Sequence, residues 1–240
     1  MQHLRSLIYT VMLFLTTAFF AIVVIVFMWL PPARLYAVPR TWARLNLWLL
    51  KTLCGLDYRI EGAEHLPDVP FISMWKHSST WETIAQMLLV PRASWLLKRE
   101  ILWVPLLGWA IARFKPIAID RKAGGTAVNQ VVTQGRERLS EGLGVIIYPE
   151  GTRVAPGETR KFGMSGALLA SQSGAPLVPI AHDSGYYWRR RGLLKRPGTI
   201  RVVIGPPLDP RGLEPREITE RAKEWVDSTV AELARQQGQN

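Results

Sequence analysis

The longest apolar run in the chain comes first. Residues 7–30, LIYTVMLFLTTAFFAIVVIVFMWL, carry no charged side chain. As a helix rising about 1.5 Å per residue the run extends roughly 36 Å, enough to cross the hydrocarbon core of a bilayer. It predicts a membrane anchor. Residues 41–56, TWARLNLWLLKTLCGL, follow with Trp42, Leu45, Trp48 and Leu49 at helical spacing and Arg44 and Lys51 off that face. Such a helix fits the membrane interface, a return into one leaflet, or packing on a folded domain. A single span and a shallow helical hairpin are both compatible with this pattern.

From residue 57 the period changes. LDYRIEGAEHLPD reads as a short strand and turn, and PFISMW, ASWLLK, KPIAID, GVIIYP, PLVPIA and TIRVVIG are short apolar runs with strand character. Between them STWETIAQMLLV, GTAVNQVVTQGRERLSEG and GMSGALLASQSG have helical spacing, and EPREITERAKEWVDSTVAELARQ closes the chain as an amphipathic helix. Strands alternating with helices predict an α/β fold with a mostly parallel mixed sheet flanked by helices. The expected organisation is residues 1–56 as membrane anchor and amphipathic helix, then residues 57–240 as the α/β domain. No internal repeat interrupts it.

Composition narrows the partners. The net charge of +11 admits nucleic acid, anionic lipid or a phosphorylated substrate. An anchor followed by tryptophan-rich apolar runs favours the lipid surface over nucleic acid. The densest basic cluster is WRRRGLLKR, residues 188–196. Arg34, Arg40, Arg44 and Lys51 after the apolar run outnumber Arg5 before it, which predicts a C-terminal part facing the cytoplasm from the cell (inner) membrane. The run is too long for a signal-peptide core, and no small-residue cleavage site follows it. The single Cys54 excludes an intrachain disulfide and lies in an apolar segment as an inert residue.

In parallel α/β sheets, functional groups gather beyond the C-terminal strand ends. Three stretches qualify: KHSSTWE, DRKAGG and PEGTR. Five residues of regular helix turn through about 500°, so His77 and Glu82 would not share a helical face. If His77 lies in the loop before a helix starting near Ser79, Glu82 in the first turn can reach back to it. The carboxylate would fix the imidazole tautomer and leave the other nitrogen as a general base. Ser79 and Glu82 also read as a capping box, S-x-x-E, which needs no catalysis. In YPEGTR, Gly151 permits close backbone approach, Arg153 offers a planar fork suited to phosphate, and Glu150 could hold that arginine or accept from a hydroxyl. Arg121 adds a further cation after KPIAID. Ser165 in FGMSGA misses the nucleophile-elbow pattern and its strand, so it reads as helix packing. No H-E-x-x-H or P-loop pattern occurs, leaving metal and nucleotide chemistry without support.

The ordered set of His77-x4-Glu82, IDR at 119–121, PEGTR at 149–153 and APLVPIA at 175–181 resembles the four blocks of the glycerolipid acyltransferase family across about residues 60–205. Among its members the chain is most similar to those that acylate 1-acylglycerol 3-phosphate to phosphatidic acid. The resemblance implies that His77 deprotonates the sn-2 hydroxyl of lysophosphatidic acid while Glu82 orients it. The alkoxide would attack an acyl carrier protein or coenzyme A thioester directly, with no cofactor and no acyl-enzyme. Arg121, Glu150, Gly151, Thr152 and Arg153 would bind the glycerol phosphate, and Pro179 would shape the acyl side. The hydrophobic flank at 101–114, with Trp103 and Trp109, would draw the acceptor from membrane lipids. Two departures stand out: Glu82 replaces the usual aspartate, and Lys115 and Ala118 replace the usual glycine and bulky residue of the second block. A different lyso-lipid acceptor, such as lyso-ornithine lipid, and a non-catalytic protein that binds anionic lipid are the competing readings.

Overall fold

Strands buried on both faces can keep apolar side chains in unbroken runs, and parallel pairing is what buries both faces. The computed structural model describes residues 1–90, 92–120 and 125–237. Its strands are β1 (Leu56–Glu61), β2 (Ile72–Trp75), β3 (Ala93–Lys98), β4 (Ile117–Ile119), β5 (Gly144–Ile147), β6 (Leu177–His182) and β7 (Gly198–Ile204). They form one sheet in the order β1-β7-β6-β2-β5-β3-β4. β6, β2, β5, β3 and β4 run parallel, and the β1–β7 pair joins by antiparallel pairing of β7 with β6. The sheet is therefore mixed and mostly parallel.

The helices are α1 (Gln2–Val26), α2 (Pro32–Leu35), α3 (Ala37–Cys54), α4 (Trp81–Leu89), α5 (Leu107–Ala112), α6 (Gly125–Ser140), α7 (Ser165–Ser173), α8 (Ser184–Tyr187) and α9 (Pro215–Gln237). Alternation along each strand sends side chains to two cores. Trp75, Ile146, Val178 and Ile180 join the core beneath α3, α4 and α5. Ile72, Met74, Val145, Ile147 and Leu177 join the other, beneath α6, α7 and α9. Because β2, β5 and β6 are neighbours and parallel, the segments after Trp75, Ile147 and His182 leave the sheet at the same edge.

α1 is long and apolar enough to cross a membrane, yet it lies along the domain rather than apart from it. It packs on α3 and α5. At its N-terminal end Gln2 donates to the carbonyls of Cys54 and Lys195. Just past its C-terminal end Arg113 donates to the carbonyls of Met28 and Leu30. Lys195 belongs to the densest basic cluster of the sequence, but the structure buries it at 1% exposure. Its ammonium donates to the Ser6 carbonyl and to Thr10, and sits 5.3 Å and 4.7 Å from the Tyr9 and Trp188 ring centres. The outer side of α1 stays apolar and open, with Phe14 71% and Phe19 60% exposed.

Lys115 stands where the resemblance expects glycine, and its φ of +51° explains that expectation. Its carbonyl accepts from Ser94 Oγ at 2.8 Å and its ammonium pairs with Glu141 at 2.6 Å, so both ends of the residue are held. The left-handed conformation costs an ordinary residue about 1–2 kcal/mol, and a β-branched one more. Replacing Lys115 by valine should therefore lower the stability measured by chemical denaturation by about 1–2 kcal/mol, whereas glycine at the same position should be tolerated within about 1 kcal/mol.

Candidate active site

His77 sits in the loop between β2 and α4, and Glu82 in the first turn of α4 turns back toward it. His77 Nδ1 donates to Glu82 Oε1 at 2.9 Å. The same oxygen accepts from the backbone N–H groups of Ser78 at 3.0 Å and Ser79 at 2.8 Å. Ser79 Oγ in turn accepts from Trp81 N at 3.1 Å. One carboxylate oxygen thus takes the Ser79 N–H of the S-x-x-E pattern and the His77 imidazole together, just ahead of α4, whose N-cap is Thr80.

Glu82 is fully buried. Burial alone would raise its pKa, but the hydrogen bonds from His77 and the Ser79 N–H outweigh it and hold the carboxyl below its ordinary value. The residue is ionised, so it only accepts, and His77 is left with its free lone pair on Nε2. Among the described residues Nε2 has no hydrogen-bond partner. The His77 ring stacks on Tyr148 with centres 4.1 Å apart, and Tyr148 in turn donates to Gln86 Oε1 at 2.6 Å. Burial pushes the Tyr148 hydroxyl well above its usual pKa, so it stays a neutral wall against the imidazole.

The loop after β5 supports this from below. Gly151 has φ +68°, the conformation its turn requires, with its N–H bonded to Tyr148 O. Glu150 is turned inward: Oε1 accepts from Lys76 Nζ at 2.5 Å and Oε2 from His77 N at 2.7 Å. Burial raises the Glu150 pKa against the opposing pull of Lys76. Val154 N donates to His77 O at 2.8 Å, so the two loops are bonded on both sides of the histidine. α8 completes the packing, because a Cβ on Gly185 would come within 2.9 Å of Ser78 Cβ.

A cavity of about 850 Å³ opens from His77. Its apolar walls come from Phe20, Ala21 and Val24 of α1, Trp42 of α3, Leu97 of β3, and Ala110 and Phe114 in and beside α5. Its lining also includes His77, Gly151, Thr152, Arg153, Arg190 and Arg191. Arg153 Nε is buried without a hydrogen-bond partner among the described residues, while the Arg153 carbonyl accepts from Arg190 Nη1 at 3.1 Å. Ser165, the first residue of α7, also lines the cavity. A second groove of about 750 Å³, bordered by Pro70, Arg136 and Ser173, contains none of these groups.

Of the residues singled out in the sequence, the structure brings His77, Glu82, Gly151, Thr152 and Arg153 together. Glu150 joins them, but beneath His77 rather than facing the cavity, because both its oxygens are engaged within the protein. Pro179 is not among the described residues lining the cavity. It is buried in β6, where its carbonyl accepts from Gly205 N and its ring lies against Gly205. Arg121 lies outside the described residues. Sequence reasoning missed Lys76, Tyr148, His182 and Ser184; it quoted Arg190 and Arg191 only within a basic cluster. The lysine and tyrosine adjoin recognised motifs, and that adjacency was the only available signal.

A model of the Acyltransferase family matches residues 57–183, the stretch that carries both loops and the sheet edge between them. The chain belongs to the acyltransferase family. It is 44% identical over 205 residues to the 1-acyl-sn-glycerol-3-phosphate acyltransferase of Pseudomonas aeruginosa, covering 84% of this chain and 80% of that relative. Identity to the 1-acyl-sn-glycerol-3-phosphate acyltransferase alpha of Mus musculus is 31% over 179 residues, 73% of this chain and 63% of the relative. The crystal structure of the 1-acyl-sn-glycerophosphate acyltransferase PlsC from Thermotoga maritima shares the fold, with a TM-score of 0.82, 21% identity, and coverage of 97% of this chain and 96% of that one.

The inward position of Glu150 makes a separable prediction. Glu150→Gln leaves Lys76 as a buried charge without its counter-ion, so stability should fall by about 3 kcal/mol or more, with turnover falling as the His77 loop loosens. Thermal and chemical denaturation beside steady-state kinetics measure both. An unchanged melting temperature with a raised KM for the acceptor would instead place Glu150 against substrate.

Proposed function

We propose that the protein transfers a fatty acyl group from an acyl carrier protein or coenzyme A thioester to the sn-2 hydroxyl of 1-acylglycerol 3-phosphate, giving phosphatidic acid. The observation that carries this reading is the unpartnered Nε2 of His77, a residue that lines a mostly apolar cavity together with Arg153, Arg190 and Arg191. An amphiphilic acceptor has that same division, with hydrocarbon on one side of its reacting hydroxyl and phosphate on the other. The names of the relatives in Pseudomonas aeruginosa and Mus musculus support the same acceptor.

In this mechanism His77 Nε2 takes the proton from the acceptor hydroxyl as its oxygen attacks the thioester carbonyl. Glu82 keeps Nδ1 protonated and stabilises the imidazolium that forms. The tetrahedral intermediate collapses, the thiol leaves, and the imidazolium returns the proton to it. No acyl-enzyme is needed, so Ser165 and Cys54 have no chemical part. Arg153, with Arg190 and Arg191, holds the phosphate, and the apolar walls take a fatty acyl chain.

The membrane supplies the acceptor. Trp29, Trp48, Trp103 and Trp109 are, like the outer side of α1, more than half exposed. We read this as one face lying in the cytoplasmic leaflet of the inner membrane, with the helical hairpin of α1 and α3 embedded rather than spanning. Residues 101–114 then have two sides, because Ile101, Leu107 and Phe114 line the cavity while Trp103 and Trp109 point outward.

The decisive assay is acyl transfer by purified protein in detergent over a panel of lyso-acceptors with and without phosphate. His77→Ala should lower turnover by about 10²–10⁴, the usual contribution of a general base, with the melting temperature unchanged. Near-normal activity in the folded variant would remove His77 from the mechanism. Arg153→Ala should raise the KM for lysophosphatidic acid about ten-fold to a hundred-fold while leaving that for the acyl donor unchanged, because a charge-assisted contact contributes about 1.5–3 kcal/mol. A wild-type preference for an acceptor without phosphate would transfer the assignment to another lyso-lipid.

A further inference from the structure

Glu82 has two oxygens, and the His77 pairing with its backbone partners uses only one. Oε2 points the other way, into a pocket where Ser184 Oγ stands at 3.2 Å. Ser184 is itself 2.9 Å from His182 Nδ1, and His182 Nε2 is 2.8 Å from the Lys76 carbonyl. Ser184 and Glu82 are fully buried and His182 is 1% exposed. The His182 ring packs near Trp75 and Trp81, whose ring centres are 6.3 Å and 6.2 Å away.

We infer that His182 and Ser184 are positioning residues that hold the second oxygen of Glu82, and that this buried chain is matched to glutamate rather than aspartate at position 82. The inference rests on the His77–Glu82 base proposed above.

Proton bookkeeping supports the direction of the chain. A carbonyl only accepts, so His182 Nε2–H donates to Lys76 O. Burial lowers the His182 pKa despite the pull of Glu82, which favours the neutral ring and leaves a lone pair on Nδ1. The single Ser184 proton then has two acceptors, Nδ1 and Glu82 Oε2. Swinging it to Oε2 requires only rotation of a hydroxyl, and the need arises when His77 becomes an imidazolium and Glu82 must remain an anion beside it. Lys76 ties the far end of the chain to the same loop, since His77 is the next residue along.

The match to glutamate is a matter of reach. Oε1 is anchored at the N-terminus of α4 by Ser78 N, Ser79 N and His77. With one methylene fewer, an aspartate making those bonds would hold its other oxygen short of Ser184. The family match ends at Asp183, so Ser184 stands one residue beyond it.

The test is a double-mutant cycle on the full-length protein, with kcat and KM measured for Ser184→Ala in the wild-type and Glu82→Asp backgrounds. In the wild type, Ser184→Ala should lower kcat about ten-fold with KM for the acceptor unchanged. In Glu82→Asp, which lacks the reach, the same change should cost less than about two-fold. His182→Phe, which keeps a ring against Trp75 and Trp81, should reproduce the Ser184→Ala loss and not add to it. If Ser184→Ala does not fold, Ser184→Cys keeps the volume with a weaker donor and is read in the same way. Equal losses in both backgrounds would make Ser184 a packing residue, and a raised KM with unchanged kcat, or no loss, would remove it from the site; each overturns the inference. A fully active His77→Ala would instead overturn the base on which it rests.

Discussion

An ionised carboxylate with no access to water is the constraint around which the catalytic end of this protein is built. An isolated buried charge costs far more than any one contact returns, so Glu82 is tolerable only because donors converge on it. Two of these are the backbone N–H groups of Ser78 and Ser79, just ahead of α4, and Glu82 itself sits in the first turn, where the helix field favours a negative charge. That local requirement fixes the path of residues 77–82. It also fixes which nitrogen of His77 carries the proton, because the pairing to Oε1 takes Nδ1. The imidazole is oriented by the same carboxylate oxygen that accepts the two N–H groups just ahead of α4.

A second buried charge pair stiffens the neighbouring loop. Lys76 and Glu150 neutralise one another beneath His77, and Glu150 also receives the His77 N–H. The two loops come from adjacent parallel strands, so their meeting follows from the topology and not from sequence proximity. Replacing such a pair by apolar side chains can leave stability unchanged, whereas removing one partner strands the other. What the pair adds at this place is a fixed orientation for the peptide that carries the His77 imidazole.

The parts of this arrangement visible in the sequence are those with short-range signatures. The seven strand candidates are all present, because buried parallel strands leave unbroken apolar runs, and β7 supplies the antiparallel element that makes the sheet mixed. The His77–Glu82 contact was legible from a spacing of five residues. Ser79 and Glu82 read in the sequence as a capping box, but that one Glu82 oxygen accepts from both Ser79 N and His77 required coordinates. His182 and Ser184 lie about a hundred residues from Glu82, and a serine after a strand has no distinguishing pattern. Lys195 misleads in the opposite direction. Its arginine-rich surroundings suggest a solvated loop, while the partners that bury it, Ser6, Tyr9 and Thr10, come from the other end of the chain. Pro179 belongs to a recognised block, yet its surroundings are β6 and Gly205 rather than the cavity.

The way α1 is held changes what that segment is. Bound at its start to the carbonyls of Cys54 and Lys195 and just beyond its end by Arg113, it contributes Thr17, Phe20, Ala21 and Val24 to the wall of the cavity that reaches His77. A truncation made to obtain a more tractable, detergent-free preparation would not release the catalyst from a leash. It would unroof the binding chamber and strip the inward faces of α3 and α5 of their cover. Purified fragments of this chain are therefore different catalysts from the whole, and kinetic constants obtained on them describe a chamber with one side missing.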